Sequence, residues 1–331
     1  MDFLKLADKA ISGESLADAA IQRLLAAEGE ALSAMLAGAR RIGEVAHGGR
    51  VSFCAIINAK SGRCPEDCAF CAQSSRHRTE SPEYPLIATE RVLEAAARMR
   101  ERGVTRFGVV VSGKGLTGGD FDRAVEMVSQ LGAIPGMAPD ISPGILDADR
   151  LRRLQAAGLS GYHHNLETSR TFFPKICSTH GYDEDVAAVR AAVKAGLYVC
   201  SGGIFGLGES WEDRVELALT LKGLGVPSVP VNFLQPIPGT PCASRPVLTP
   251  AEALKIVALY RYLLPQAQIR ICGGRAAVFP EGARLDVLNA GASGLMVGDY
   301  LTTKGADVAA DRAGLAGLGL TLDESAPPDE S

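Results

Sequence analysis

The chain runs Ser61-Gly62-Arg63-Cys64-Pro65-Glu66-Asp67-Cys68-Ala69-Phe70-Cys71, which puts three cysteines in one short stretch at C-x3-C-x2-C spacing. Three thiolates this close can hold three corners of one metal centre. A cubane iron–sulfur cluster takes one ligand on each of its irons. No further cysteine follows before Cys177, so the fourth iron would stay open to a small molecule. A structural zinc site is the rival reading, with His77 as fourth ligand just beyond the loop. Glu66 and Asp67 make the stretch polar, which argues against three merely buried thiols.

Rigid elements must position such a loop. The first fifty residues read as helices, with Leu16, Ala19, Ala20 and Leu24 at helical spacing. From Val51 onward short β-rich runs alternate with longer amphipathic stretches. Strands are expected at Val51–Ile57, Arg106–Val111, Met137–Ser142, Gly161–Leu166, Tyr198–Ile204, Ser228–Leu234, Gln268–Cys272 and Gly294–Val297. Helical stretches lie between them, among them Thr89–Arg102, Asp120–Leu131, Asp183–Ala195 and Pro250–Leu264. This count predicts an α/β fold, a (β/α)8 TIM-type barrel with an N-terminal helical extension. The organisation expected is helices over 1–50, the barrel over 51–305 and a partly disordered tail over 306–331. The three-cysteine loop then follows the first strand, at the C-terminal face where such barrels carry their chemistry.

Composition excludes several classes. The 331 residues are 47% hydrophobic and 22% charged, with a formal net charge of −4 and 5% aromatic residues. A nucleic-acid binder would show a basic stripe interleaved with aromatics. No apolar run approaches the ~20 residues of a membrane span. Asp2, Lys5, Asp8 and Lys9 interrupt the N-terminus, so no secretion signal is expected and the protein reads as cytoplasmic. Eight cysteines without secretion favour metal or redox chemistry over disulfides.

The triplet, with the aromatic Phe70 before its last cysteine, resembles the signature of radical S-adenosylmethionine (SAM) enzymes. The resemblance implies that Cys64, Cys68 and Cys71 hold a 4Fe-4S cluster whose open iron is chelated by SAM. Reductive cleavage of SAM then gives a 5′-deoxyadenosyl radical that takes hydrogen from an unactivated carbon, with Phe70 beside the adenine. Further segments resemble the biotin synthase family in particular. They include Asn58-Ala-Lys-Ser-Gly-Arg-Cys-Pro-Glu-Asp-Cys, Tyr162-His-His-Asn-Leu-Glu-Thr-Ser, Val199-Cys-Ser-Gly-Gly-Ile-Phe-Gly-Leu-Gly-Glu, Val229-Pro-Val-Asn and Ile269-Arg-Ile-Cys-Gly-Gly-Arg. They stand in family order across residues 45 to 305. The family inserts sulfur into dethiobiotin to make biotin, using a second, auxiliary iron–sulfur cluster. By this resemblance Asn165 and Glu167 serve SAM or the substrate, and Ile204 lies in a glycine-rich turn suited to the SAM adenosine. Asn232 binds the dethiobiotin ureido ring and Arg270 stands beside the auxiliary cluster. A flavodoxin- or ferredoxin-type reductant and a homodimeric assembly are also implied.

The chain departs from the family at several positions. The usual auxiliary 2Fe-2S cluster is held by three cysteines and an arginine. Here Gly108 and Asp140 stand at two of the cysteine positions, while Cys200 and Arg270 are retained. Cys54, Cys242 and Cys272 are additional. Cys272 is two residues from Arg270, hence on the same strand face, and Cys54 lies inside the first strand. The expectation is that Cys54, Cys200 and Cys272 hold a different auxiliary cluster, of a four-iron type carrying an extra sulfide as in a variant class of the family. The 2Fe-2S cluster is the alternative, and simple burial of Cys54 and Cys272 as small hydrophobes is the plainer reading. Cys177 and Cys242 are left without a role. Asp185 replaces an arginine that the family often carries near the SAM carboxylate, and His163 replaces an asparagine.

Rival readings are weaker. Gly108-Val-Val-Val-Ser-Gly-Lys114-Gly115 lacks the final hydroxyl of a phosphate-binding loop. A related radical SAM enzyme, such as a hydrogenase-cofactor maturase or a methylornithine synthase, and a non-catalytic iron–sulfur or zinc module are the other readings.

Overall fold

The computed structural model describes residues 2–299 and 307–325. Three helices, α1 (Phe3–Ile11), α2 (Asp18–Leu25) and α3 (Gly29–His47), precede the first strand. Strands and helices then alternate: β1 (Arg50–Lys60), α4 (Thr89–Arg100), β2 (Arg106–Val111), α5 (Gly118–Gly132), β3 (Ala138–Ser142), α6 (Ala148–Ala156) and β4 (Gly161–His163). The second half holds α7 (Tyr182–Lys194), β5 (Tyr198–Cys200), β6 (Gly203–Phe205), α8 (Trp211–Leu224), β7 (Ser228–Phe233), α9 (Pro250–Leu263) and β8 (Gln268–Ile271). After the short helices α10 (Arg275–Val278) and α11 (Asp286–Asn289) comes β9 (Gly294–Met296).

The strands pair in parallel from β1 round to β9, and β9 pairs back to β1, so the sheet is closed. β5 and β6 occupy one barrel position, split at Ser201-Gly202, both pairing with β7. The result is the expected eight-stranded (β/α)8 barrel. All eight predicted strands are present. The fourth is shorter than expected, ending at His163 rather than Leu166, and beyond it Glu167 adopts a left-handed φ of 63°. Backbone bonds from His164 N to Cys200 O, from Leu166 N and Glu167 N to Gly202 O, and from Ile204 N to Glu167 O keep the segment against the barrel. Gly203 has no alternative there, since a Cβ would lie 2.4 Å from the Glu167 carbonyl oxygen.

Of the tail expected over 306–331, residues 307–325 form a helix, α12 (Val308–Gly317), and a strand, β10 (Thr321–Asp323). β10 pairs in parallel with Arg50–Ser52 at the start of β1, below the point where β2 begins its own pairing at Cys54. The buried Arg275–Asp311 ion pair fastens α12 to α10. The expected end of the barrel at 305 and the last residues, 326–331, lie outside the described residues. Among the described residues no helix is long and apolar enough to cross a membrane.

Helix α9 is buried along most of its length, between the barrel and the N-terminal helices. Arg261 in it is wholly buried and donates to backbone carbonyls rather than to an acid: Gly291 O at 2.7 Å, Ala267 O at 2.8 Å and Pro265 O at 2.9 Å, with the Ser293 hydroxyl at 3.0 Å. This one side chain joins the end of α9 to the turns leading into β8 and β9. Replacement by methionine would strand those carbonyls without donors, and Arg261→Met is expected to lower the unfolding free energy by about 3 kcal/mol or more in a urea titration.

Candidate active site

The loop after β1 carries Cys64, Cys68 and Cys71 over the C-terminal mouth of the barrel. Its conformation is tied to the loop after β4 by backbone bonds, with Ala69 N donating to Ile176 O at 2.8 Å. Asp67 accepts from Ser178 N at 2.8 Å and from Thr179 N at 3.3 Å. Hydrogen bonds from Ser178, Cys177 and Thr179 outweigh burial and hold the Asp67 carboxyl well below its usual range. Cys71 N donates to Cys68 O at 2.9 Å, a tight turn that aims these thiols to one side.

That side is a cavity of about 470 Å³ running from the loop into the barrel. Cys64, Cys68, Phe70 and Cys71 line its outer part, with Asn165, Glu167 and Ile204 at its wall. Cys54, Cys200, Asn232, Arg270 and Cys272 line the same cavity deeper in. Every site residue expected from the sequence therefore faces one continuous space. Cys242 is not among the lining residues; its backbone N–H donates to Ala69 O at 3.2 Å, a support for the loop. His77 is likewise absent from the wall, because its Nε2 lies 3.1 Å from the Cys68 carbonyl oxygen. Among the described residues His77 is not gathered with the three thiols as one zinc ion would require.

Spacing also bears on what the thiols can hold. Among the described residues, the donor atoms that gather within 4.8 Å of one another are those of Glu66, Cys177 and His180. The sulfurs of Cys64, Cys68 and Cys71 do not, and neither do those of Cys54, Cys200 and Cys272. Such a spread suits ligands on separate corners of a cluster rather than on one ion. In the metal-free protein burial raises all three inner thiols, Cys200 to about 11 and Cys54 and Cys272 also upward. Binding a metal centre would require them to lose those protons. Arg270 is buried among them and donates to Ser52 O at 3.4 Å. Burial opposes its charge, but Cys54, Tyr198, Cys200 and Cys272 favour it and keep it protonated. A fixed cation surrounded by thiols suits an anionic group between them. The residues present fit an iron–sulfur cluster at both ends of the cavity.

The two positions that the sequence resemblance matches to auxiliary ligands carry Gly108 and Asp140. Gly108 and Asp140 are register partners on β2 and β3. Arg106 clamps Asp140 through two bonds, Nε to Oδ2 at 2.9 Å and Nη2 to Oδ1 at 2.7 Å. His163 Nε2 lies 3.0 Å from Asp140 Oδ2, and Arg106 stacks 3.9 Å from the Tyr198 ring centroid. Gly161 leaves room for the clamp, since a Cβ there would lie 2.2 Å from Asp140 Oδ1. A charged network thus fills this wall, and the open side remains that of Cys54, Cys200, Arg270 and Cys272. The sequence singled out Asp140 and His163 as departures but not Arg106 as their partner. The pairing is legible only once β2, β3 and β4 are adjacent.

The asparagines are partly engaged with backbone. Asn232 Oδ1 accepts from Gly273 N at 2.9 Å and its Nδ2 donates to Gly203 O at 3.2 Å. Asn165 Oδ1 accepts from Gly202 N at 3.2 Å, and its Nδ2 reaches Glu167 Oε2 at 3.4 Å. Lys114, from the discarded phosphate-loop pattern, lines the cavity and pairs with Glu184 at 2.9 Å, while Gly108–Val111 are committed to β2.

Comparison with known proteins decides the family. Curated biotin synthases align across almost the whole chain: that of Pelotomaculum thermopropionicum is 50% identical over 88% of this chain and 90% of its own length. That of Syntrophotalea carbinolica is 45% identical over 97% and 98%. The chain belongs to the biotin synthase family. Within it, residues 59–221 match the radical SAM superfamily model and residues 230–321 the biotin and thiamin synthesis associated domain. Among solved structures, a methylornithine synthase superposes with TM-score 0.84 at 22% identity, covering 96% of this chain and 97% of its own. A FeFe-hydrogenase maturase gives TM-score 0.83 at 19% identity, covering 98% and 76%. These two share the fold. The 45–50% identity to biotin synthases separates this chain from the maturase and methylornithine readings.

Two outcomes follow from the ionisable groups. Burial alone would raise Asp140, yet Arg106 and His163 hold it down at about 2. A carboxyl depressed in the folded state adds stability above its ordinary value near 3.8 and loses it as pH falls toward about 2. Asp140→Asn leaves Arg106 buried and unpaired, so urea unfolding at pH 7 should show a loss of about 3–5 kcal/mol, shrinking at acid pH. Glu167 behaves oppositely. Burial raises it from 4.5 to about 8, so it stays protonated in the folded, cofactor-free protein while the unfolded chain ionises. Stability should decline as pH rises from about 4.5 to about 8. Melting curves of Glu167→Gln should lack that decline.

Proposed function

We propose that the cavity inserts sulfur between two saturated carbons of dethiobiotin, with Cys64, Cys68 and Cys71 holding a 4Fe-4S cluster and Cys54, Cys200 and Cys272, beside Arg270, holding the auxiliary cluster. The observation that carries this reading is the single cavity lined by both thiol sets. A substrate lying between them meets the hydrogen-abstracting end and the sulfur source without leaving the barrel. When bound, the outer cluster and SAM supply the radical, and the inner cluster supplies the sulfur.

The chain's own residues bind and shield. Asn232 spends one N–H and one lone pair on backbone, which leaves one of each for a urea-type ring. Asn165, similarly held, and Glu167, neutral when the site is empty, can meet ribose or substrate hydroxyls. Phe70 and Ile204 offer apolar area for an adenine. Cys54, Cys272 and Met296 pack with Ile56, and all four line the cavity. The auxiliary cluster is read as the four-iron type, because Gly108 and the clamped Asp140 leave the 2Fe-2S alternative two ligands short. Supply of electrons by a flavodoxin- or ferredoxin-type protein, a homodimeric assembly and a cytoplasmic location belong to the same reading.

Anaerobic turnover with dethiobiotin, SAM and a reductant should yield biotin. Formation of 5′-deoxyadenosine with no biotin would demote sulfur insertion and keep the radical chemistry. Anaerobically prepared protein should carry about eight irons per chain, against about six for a 2Fe-2S auxiliary cluster and about four for none. Cys272→Ala should lose the inner cluster's iron and its Mössbauer signal while the outer cluster remains. Unchanged iron content in that variant would sink the ligand assignment.

A further inference from the structure

Cys177 has no part in the reading above, yet it sits in a built group of donors. Its Sγ lies 3.2 Å from His180 Nδ1 and 4.0 Å from Cys68 Sγ. His180 Nδ1 in turn lies 2.5 Å from Glu66 Oε2. Cys177 and Glu66 are buried and His180 is close to it. One thiol, one imidazole and one carboxylate thus converge within 4.8 Å of one another, and a second thiol, that of Cys68, lies 4.0 Å from the first. This donor set suits zinc-class cations, which favour tetrahedral sulfur, nitrogen and oxygen ligation.

The surroundings orient each donor. His180 Nε2 lies 3.3 Å from Asp185 Oδ2, and Asp185 Oδ1 lies 2.8 Å from His164 Nε2. A ligating histidine commonly gives its other ring N–H to a carboxylate, which fixes its tautomer. Asp185 fills that place, bonded to His180 and His164. Thr179 Oγ1 donates to Glu66 Oε2 at 2.7 Å, and Phe173 packs edge-on against the His180 ring at 5.4 Å. Lys114, which lines the cavity, pairs with Glu184 at 2.9 Å.

The geometry points to a mononuclear site in the cluster-free protein, in which Glu66, Cys68, Cys177 and His180 bind one tetrahedral divalent cation of the zinc class. The site shares Cys68 with the outer cluster's ligands, so the ion must leave before the loop takes its cluster. It needs no sulfur insertion, and its test is independent of biotin formation.

Metal-stripped, full-length protein carrying Cys64→Ser and Cys71→Ser cannot assemble the outer cluster but keeps all four proposed ligands. Titrated anaerobically with Co²⁺, it should bind one ion with a sulfur-to-cobalt charge-transfer band. Adding Cys177→Ser or His180→Gln should weaken that binding at least tenfold, with unchanged circular dichroism melting showing that the fold persists. Independently of any variant, zinc-loaded wild-type protein should give an X-ray absorption fine structure of two sulfur and two nitrogen or oxygen scatterers. Three or more sulfurs, or cobalt binding indifferent to both added substitutions, would overturn the site.

Discussion

Closure of β1 against β9 brings inward-facing residues of the strands onto one axis, and the rest of the molecule depends on which residues those are. In most barrels of this kind the interior is filled by branched apolar side chains. Here the C-terminal half is hollow enough for a cavity of about 470 Å³, bounded by thiols, two asparagines and a buried arginine. Stability must then come from elsewhere: from α9 and its carbonyl-binding Arg261, from the N-terminal helices and from the apolar layer between helices and strands.

The interior is asymmetric in charge. On the β2–β4 side Arg106, Asp140 and His163 satisfy one another and close the wall. On the β8–β1 side Arg270 faces Cys54, Cys200 and Cys272, with a side-chain bond to Cys54 and a long one to the Ser52 carbonyl. Two buried arginines a few strands apart therefore differ: one is neutralised by a carboxylate and one lies among thiols. The charge that Asp140 brings into this wall is thus balanced by its clamp.

The mouth shows the same economy. The loop after β1 is shaped by the loop after β4, through Asp67 and the backbone at Ala69. The two loops are more than a hundred residues apart in the chain, and their contact brings Cys177 and His180 against Glu66 and Cys68. Asp185, conspicuous in the sequence only as a departure, bonds two histidines and fixes His180 in that contact.

Much of this was legible before the fold. The period of β-rich and amphipathic runs determined an eight-stranded barrel, because each strand must bury one face inward and each helix one stripe against it. The cysteine spacing and the family segments determined the chemistry, since ligands on one short loop need no tertiary structure to be neighbours. Strand parity placed Cys272 with Arg270 because side chains alternate along a strand. Tertiary structure alone decided which thiols share a cavity, that His77 turns to a backbone oxygen, that Arg106 neutralises Asp140, and that a short helix and strand at 308–323 return to the start of β1. Those facts rest on contacts between residues far apart in sequence, and such contacts are set by the packing of the closed barrel rather than by any local pattern.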